Sequence, residues 1–319
     1  MPDNVTVSPT MIRMNRVHRY PPVGKCIYCG SDGAPSGLDE EHIIAKSLGG
    51  MLILPDASCL DCAKATSAAE GRIAGELFSA IRRQMKYPTR KPRNRPQGFT
   101  VGLDGVDASV LAEGYPGLLI SFAFPLPGIL AGAAPREEFG GGIALAILPQ
   151  FGERLNALGG PPRGRRQVEF RGFGDAESLG RVLAKSAHAY AVAELGMDAF
   201  KPFLTDIILG RPPFHLGHYV GSGVGDHPLG NDLHEITFAN PLLGDNRYVV
   251  VKVQLFANHK MPVHFVVVGE RSCGLEAMPP EELHPPDHEA RRAVIPPSSP
   301  LGHFAVPLAP QVGRSARQV

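Results

Sequence analysis

The sequence predicts an α+β protein in which a small cysteine-bearing module precedes a larger domain of mainly antiparallel strands and two helices. Two observations carry this prediction: two CxxC pairs lie near the start of the chain, and beyond them short strand-like runs flank a helical period. The chain has 319 residues and is 43% hydrophobic, which is enough for two ordinary domains. We place the module at 20–97 and the larger domain at 98–272, between a flexible arm at 1–19 and a Pro-rich disordered tail at 273–319.

The small module contains four cysteines in two CxxC pairs, Cys26 with Cys29 and Cys59 with Cys62. Each pair brings two thiolates within reach of one ion, and four thiolates satisfy the tetrahedral preference of Zn²⁺. The alternative is two disulfides or unligated thiols. Because no secretory signal precedes the pairs and Cys273 is left without a partner, the pattern favours structural zinc in a reducing cytoplasm. A closed four-thiolate site offers no open position, so any chemistry must come from other residues.

An acidic run that ends in Glu41 and His42 lies between the two pairs. We expect these residues to end one strand of a hairpin that turns at 49–50, returns through 51–54 and enters a helix near Cys59. An imidazole has a pKa near 6.5 and can take a proton from water at neutral pH. His42 is therefore a candidate general base.

The segments CIYCG, DEEHIIAKSLGG, LILPDASC and CLDC, in this order, resemble the HNH endonucleases with the ββα-metal fold, in the form stapled by zinc between two CxxC knuckles. The resemblance covers only about residues 20–90. It implies a metal-dependent endonuclease that hydrolyses phosphodiester bonds in DNA, with RNA as an open alternative, and His42 as its general base. It also implies a catalytic Mg²⁺ or Mn²⁺ held by carboxylates. Glu41 is the first ligand, Asp39 is the second because strand alternation puts it on the same side, and Glu70 is a further candidate.

Two positions depart from the pattern of that family. Asp56 stands at the catalytic position where Asn is usual, so it accepts a hydrogen bond but cannot donate one as an amide does. Ala63 stands where a His or Asn usually follows the second CxxC, and it can ligate nothing. Glu70 lies on the same helix face as Ala63, about 10 Å further along the helix axis. It is a candidate for the missing metal ligand, and the alternative is that it is a solvated carboxylate. These departures leave a rival open, a zinc-stapled nucleic-acid-binding module that has lost cleavage.

A basic tract without acidic residues follows the module's helix, which Ile73, Leu77 and Ile81 predict to extend to Gln84. The net charge is only +1, so affinity for nucleic acid would have to come from local charge. Beside a nuclease-like site such residues would contact phosphates without reading sequence, and a solvated linker is the alternative. The residues predicted to contact nucleic acid are Lys46, Arg82, Arg83, Lys86, Arg90, Lys91, Arg93 and Arg95.

The rest of the chain shows strand-like runs around two helical segments. The stretch between Glu113 and Arg136 carries no charge, but its prolines and glycines favour buried strands over a membrane span, and we expect no membrane association. The predicted strands are 99–103, 106–111, 118–124, 143–148, 167–170, 233–238, 247–256 and 263–268, and the predicted helices are 175–195 and 199–209.

Overall fold

The α+β fold predicted from the sequence is confirmed by a computed structural model, in which helices combine with mainly antiparallel sheets. The structure describes residues 17–87, 93, 97–135, 143–149, 152–160, 167–170, 175–212, 215–223, 233–243, 246–259 and 261–271. The helices are α1 (Leu60–Gly75), α2 (Ser79–Gln84), α3 (Gly152–Gly159), α4 (Ala176–Leu195), α5 (Thr205–Leu209) and α6 (Leu216–Tyr219). The strands are β1 (His18–Arg19), β2 (Leu38–His42), β3 (Leu52–Cys59), β4 (Gly98–Leu103), β5 (Val106–Leu111), β6 (Leu118–Ala123), β7 (Ala144–Pro149), β8 (Val168–Phe170), β9 (Phe200–Pro202), β10 (Val220–Gly223), β11 (His234–Ala239), β12 (Leu242–Leu243), β13 (Asn246–Leu255) and β14 (Val263–Arg271).

The first sheet has the order β1-β3-β2, with β2 antiparallel and β1 parallel to β3. The segment that connects β2 to β3 contains the predicted glycine turn. Gly49 in this turn has a φ of +89°, which disfavours any residue with a side chain. A Cβ at Gly50 would collide with the Ile44 carbonyl, so the chain can turn closely only because glycine stands there. β3 then leads directly into α1, giving the strand, strand, helix order expected for this stretch. His18–Arg19, inside the predicted arm, supplies β1.

The helix predicted to run to Gln84 is interrupted between α1 and α2. The amide of Phe78 donates to the carbonyl of Ile73, five residues earlier, at 2.8 Å. In a regular α-helix this hydrogen bond spans four residues. The extra residue turns the Phe78 ring onto Phe256, with 5.1 Å between ring centroids. Ile73 and Ile81 stay buried on either side of the break, so the apolar face that predicted a helix is real.

The largest sheet has the order β10-β14-β13-β11, with β9 added beside β14 and β12 beside β13. α4 packs on this sheet and is capped by Asp175, whose carboxylate accepts a hydrogen bond from the Ser178 amide at 2.5 Å. The predicted helix 199–209 was wrong in its first half. Phe200–Pro202 pairs with β14 instead, and α5 begins only at Thr205, because Pro202 has no amide to donate within a helix.

The remaining strands of the larger domain form two small antiparallel sheets, β5-β4-β8 and β6-β7. β6 occupies the charge-free stretch as a buried strand, as predicted. Two short helices that the sequence analysis did not predict, α3 and α6, add to the two expected in this domain. Among the described residues, no helix combines the length and the apolar character needed to cross a bilayer.

The two predicted domains pack on each other through one hydrophobic core. Ile73 and Phe78 of the small module belong to the same buried cluster as Leu183 of α4 and Phe256 after β13. His234 of β11 also contacts the module, since its Nε2 donates to the Leu48 carbonyl at 2.9 Å. The predicted domain boundaries stay a prediction, but the two segments are joined by packing as well as by the chain.

Candidate functional site

Four cysteines come together at the junction of the first loop, β3 and α1. The Sγ atoms of Cys26, Cys29, Cys59 and Cys62 all lie within 4.8 Å of one another. A tetrahedral zinc site with Zn–S bonds of about 2.3 Å places its sulfurs about 3.8 Å apart. The Cys29 and Cys59 sulfurs are 3.7 Å apart, whereas a disulfide needs about 2.05 Å, and all four thiols are free. The cluster therefore fits a zinc ion and excludes the disulfide alternative for these residues.

Backbone hydrogen bonds hold the first cysteine pair against the sheet. The amide of Gly30 donates to the Cys26 carbonyl at 2.8 Å and the amide of Cys26 donates to the Ser31 carbonyl at 2.7 Å, which closes the CxxC turn. The amide of Ile27 donates to the Ala57 carbonyl of β3 at 2.8 Å. A zinc ion held by all four thiolates would have no open position in this arrangement.

His42 ends β2, and its side chain is 20% exposed. Its Nδ1 is buried without a hydrogen-bond partner, while its Nε2 lies 3.5 Å from Glu40 Oε1. Burial lowers the pKa of His42, Lys185 and Lys46 lower it further, and Glu40 opposes them. The imidazole is therefore neutral at pH 7 and can accept a proton. Glu40 was missed by the sequence analysis, although strand alternation places it on the same face as His42.

Glu41 and Glu70 are brought together, but around an internal cation. The Lys185 Nζ lies 2.5 Å from Glu41 Oε1 and 2.8 Å from Glu70 Oε1, and it also donates to the backbone carbonyl of His42. The Lys185 side chain is 2% exposed and that of Glu41 is 8% exposed, while Glu70 is 21% exposed. A lysine from α4 thus joins the end of β2 to the middle of α1.

The electrostatics of this cluster favour a charged lysine. Burial alone would lower the pKa of Lys185, but the fields of Glu41 and Glu70 and their hydrogen bonds outweigh it, so the pKa is raised. Burial raises the pKa of Glu41 against the opposing field of Lys185. The Tyr28 hydroxyl is buried beside Glu41 and forms no hydrogen bond of normal geometry. The ammonium is the charge that keeps two carboxylates close together away from water.

The carboxylates expected to hold a catalytic Mg²⁺ or Mn²⁺ do not fit that role together. Glu41 and Glu70 are engaged by Lys185, and Asp39 is exposed on the other side of a register shift in the β2–β3 pairing. The bulge interrupts the alternation that was expected to align Asp39 with Glu41. Asp56 is exposed and has a φ of +49° in a bend of β3.

The basic tract is divided between structural and exposed residues. The Arg82 guanidinium donates to the Ser47 carbonyl at 2.6 Å and to the Ala74 carbonyl at 2.7 Å, so it braces the module and is not open for phosphate. Arg83 is half-buried. Lys86 and Arg93 of the tract are exposed, and so is Lys46, a further predicted nucleic-acid contact that lies outside the tract. The members outside the described residues are Arg90, Lys91 and Arg95.

The buried side of the site comes from α4, which the sequence analysis did not connect to the module. Besides Lys185, the helix presents His188, whose Nε2 donates to the Ile27 carbonyl between the first two cysteines at 2.8 Å. Burial lowers the pKa of His188 to about 4, so the ring is neutral. Near the helix end, Glu194 accepts the Tyr20 hydroxyl at 2.6 Å. One signal was available: a lysine and a histidine three positions apart are the only ionisable side chains except Tyr190 in the largely apolar stretch 182–192 of this helix.

Comparison with known proteins finds no protein-family profile, no curated protein and no solved structure that matches this chain. The cysteine cluster, His42 and the carboxylates beside it are therefore the features of the chain that indicate a function.

Proposed function

We propose that the chain is an HNH-type endonuclease that hydrolyses phosphodiester bonds in nucleic acid, with His42 as the general base and a zinc ion held by the four cysteines. The observation that carries the proposal is the position of His42. A neutral, partly exposed imidazole ends the strand whose hairpin is stapled by the cysteine cluster. We also propose DNA as the first substrate, RNA as the alternative, and a reducing cytoplasm as the location, because the four thiols are free.

In the proposed reaction, His42 takes a proton from a water molecule, the resulting hydroxide attacks phosphorus, and the bond to the 3′-oxygen breaks. The leaving oxygen receives its proton from solvent. Nε2 is the ring nitrogen for this role, because Nδ1 is enclosed. Glu40, 3.5 Å from Nε2, would stabilise the imidazolium that forms. The zinc ion would supply only structure, since all its positions are filled by thiolates.

Cleavage of supercoiled plasmid, single-stranded DNA and RNA by the full-length, zinc-loaded protein tests the proposal. We expect conversion of supercoiled to nicked plasmid at neutral pH, measured separately with Mg²⁺, with Mn²⁺ and without added divalent ion. The same reactions with His42→Ala identify contaminating nucleases. Absence of cleavage on all three substrates in every ion would contradict the hydrolytic assignment.

A nucleic-acid-binding module without cleavage is the second candidate, and a specific observation favours it. The ammonium of Lys185 holds Glu41 and Glu70, two of the three carboxylates that were expected to bind a catalytic ion, and Ala63 and Asp56 already depart from the family pattern. Binding measured by fluorescence anisotropy on the same substrates separates the two candidates. Binding without cleavage supports the second, and cleavage that depends on His42 supports the first.

The basic tract is expected to contribute affinity but no sequence preference. Replacing Arg90, Lys91, Arg93 and Arg95 together with glutamine should weaken binding to all duplexes alike. The slope of log K against log salt concentration should flatten by about 0.9 for each phosphate that the variant no longer neutralises.

The salt titration needs a control for the loss of positive charge alone. Lys201→Gln combined with Arg211→Gln removes two exposed charges of the larger domain, and should leave the slope unchanged. A slope that is also unchanged in the fourfold variant would make the tract a linker.

A further inference from the structure

We propose that Glu41 and Glu70 form a cation site in which the Lys185 ammonium takes the place of a divalent metal ion, so that wild-type protein excludes divalent ions from this pair. The inference concerns cation binding alone and does not require His42 to act as a base. It rests on three features: the ligand chemistry of the pocket, the three oxygens that surround the buried ammonium, and a buried hydroxyl beside it that forms no hydrogen bond of normal geometry.

The atoms that surround the Lys185 Nζ are those that a hard divalent ion prefers. Two carboxylate oxygens, from Glu41 and Glu70, and the backbone carbonyl oxygen of His42 converge on one point. Mg²⁺, Mn²⁺ and Ca²⁺ are bound by carboxylate and carbonyl oxygens, usually with waters completing the shell. The two carboxylate oxygens lie 2.5 Å and 2.8 Å from the same nitrogen, so one ion at the position of that nitrogen would contact both.

The ammonium is surrounded by three oxygen acceptors at this point. A lysine has three N–H donors and no acceptor. A divalent ion could enter only by displacing the ammonium or by lying against it, and two cations a few ångströms apart in a buried site repel strongly. Because the Lys185 side chain is 2% exposed, water cannot screen that repulsion.

The Tyr28 hydroxyl is also consistent with a pocket that suits a larger coordination shell. It is enclosed in the protein beside Glu41 and forms no hydrogen bond of normal geometry. Buried hydroxyls are nearly always well hydrogen-bonded. A hydrated ion in place of the ammonium would offer a water to this oxygen.

A lysine in place of a divalent ion gives the site a permanent cation, because the ammonium belongs to α4 and cannot dissociate. Its bond to the His42 carbonyl links the end of β2 to the larger domain, which makes Lys185 a positioning residue for His42. The charge beside His42 is therefore present at every concentration of divalent ion.

Manganese binding, followed by electron paramagnetic resonance on zinc-loaded full-length protein, tests the proposal without measuring cleavage. Wild type, Glu41→Gln and Glu70→Gln should bind Mn²⁺ equally weakly. Lys185→Ala should gain one Mn²⁺ per chain, at least tenfold tighter than wild type, and the double variant Lys185→Ala with Glu41→Gln should lose it. Lys252→Ala is the matched control, because it removes the partner of the single carboxylate of Glu235, 3.0 Å away, and should gain nothing.

Two results would overturn the proposal: stoichiometric Mn²⁺ binding by wild type that Glu41→Gln or Glu70→Gln removes, or a folded, zinc-loaded Lys185→Ala that gains no site. If Lys185→Ala does not fold alone, millimolar Mn²⁺ should restore its circular dichroism spectrum and zinc content. Failure of that rescue would also overturn it. Because no arm depends on nucleic acid, a protein that never cleaves can still confirm the cation replacement, and an active nuclease can still contradict it.

Discussion

Replacing His42 with alanine is expected to slow nucleic-acid cleavage by about 10²–10⁴-fold, the usual contribution of a general base. Affinity for duplex DNA and zinc content should not change, because the imidazole has one exposed edge and the cysteines lie elsewhere. Since burial lowers the pKa of His42, the wild-type rate should be on its plateau at pH 7 and fall only as the pH drops below about 6.5, when the base becomes protonated. The alanine variant should lack this acidic limb.

His18→Ala is the matched control for His42→Ala. It makes the same chemical change at an exposed histidine of β1, in the same sheet as β2 but outside the proposed site. Its rate and pH profile should match those of wild type. Equal cleavage by His42→Ala and wild type would remove His42 from the mechanism.

Replacing Cys59 with serine is expected to abolish zinc binding and unfold the small module instead of merely reducing activity. In small zinc domains the metal contributes about 10–16 kcal/mol of apparent binding energy, which is part of the folding energy. Because His188 of α4 donates to the Ile27 carbonyl inside the first CxxC turn, the unfolding should extend to the packing of α4 on the module. Metal analysis gives the zinc content, and hydrogen exchange should rise across β2, β3 and α1.

Cys273→Ser controls for the removal of a thiol, since this cysteine is the fifth in the chain and stands outside the two CxxC pairs. It should retain one zinc per chain and the exchange pattern of wild type. Retention of one zinc by Cys59→Ser, or absence of zinc from freshly purified wild type, would contradict the structural role of the cluster.

Local sequence patterns predicted most of the secondary structure, because each rests on contacts within a few residues. The strand runs around 99–111 became the hairpin of β4 and β5, and Asp175 with the apolar spacing after it gave α4. The exceptions have tertiary causes. Phe200–Pro202 became a strand because β14 offered an edge to pair with, and Phe78 broke its helix to contact Phe256.

The candidate site likewise contains residues that local sequence patterns predicted and one contact that only the tertiary structure revealed. The cluster of Cys26, Cys29, Cys59 and Cys62 could be predicted from spacing alone, because a CxxC turn brings its own two sulfurs together and two such turns supply the four ligands of a tetrahedral site. Glu41 stands directly before His42 in the chain. The partner of Glu41 was not predictable by the same reasoning, because a carboxylate next to a histidine looks the same whether it binds a metal ion or a lysine from a distant helix.

The sequence by itself determined the α+β class, the four-cysteine cluster and the position of His42 at the end of a strand, all of which follow from short-range periodicity and ligand spacing. The tertiary structure alone decided which charge meets Glu41 and Glu70. Lys185 is more than a hundred residues away from both, and it reaches them because α4 is buried between the largest sheet and the small module. A lysine enclosed there must find carboxylates, since a buried charge without a partner would destabilise the fold.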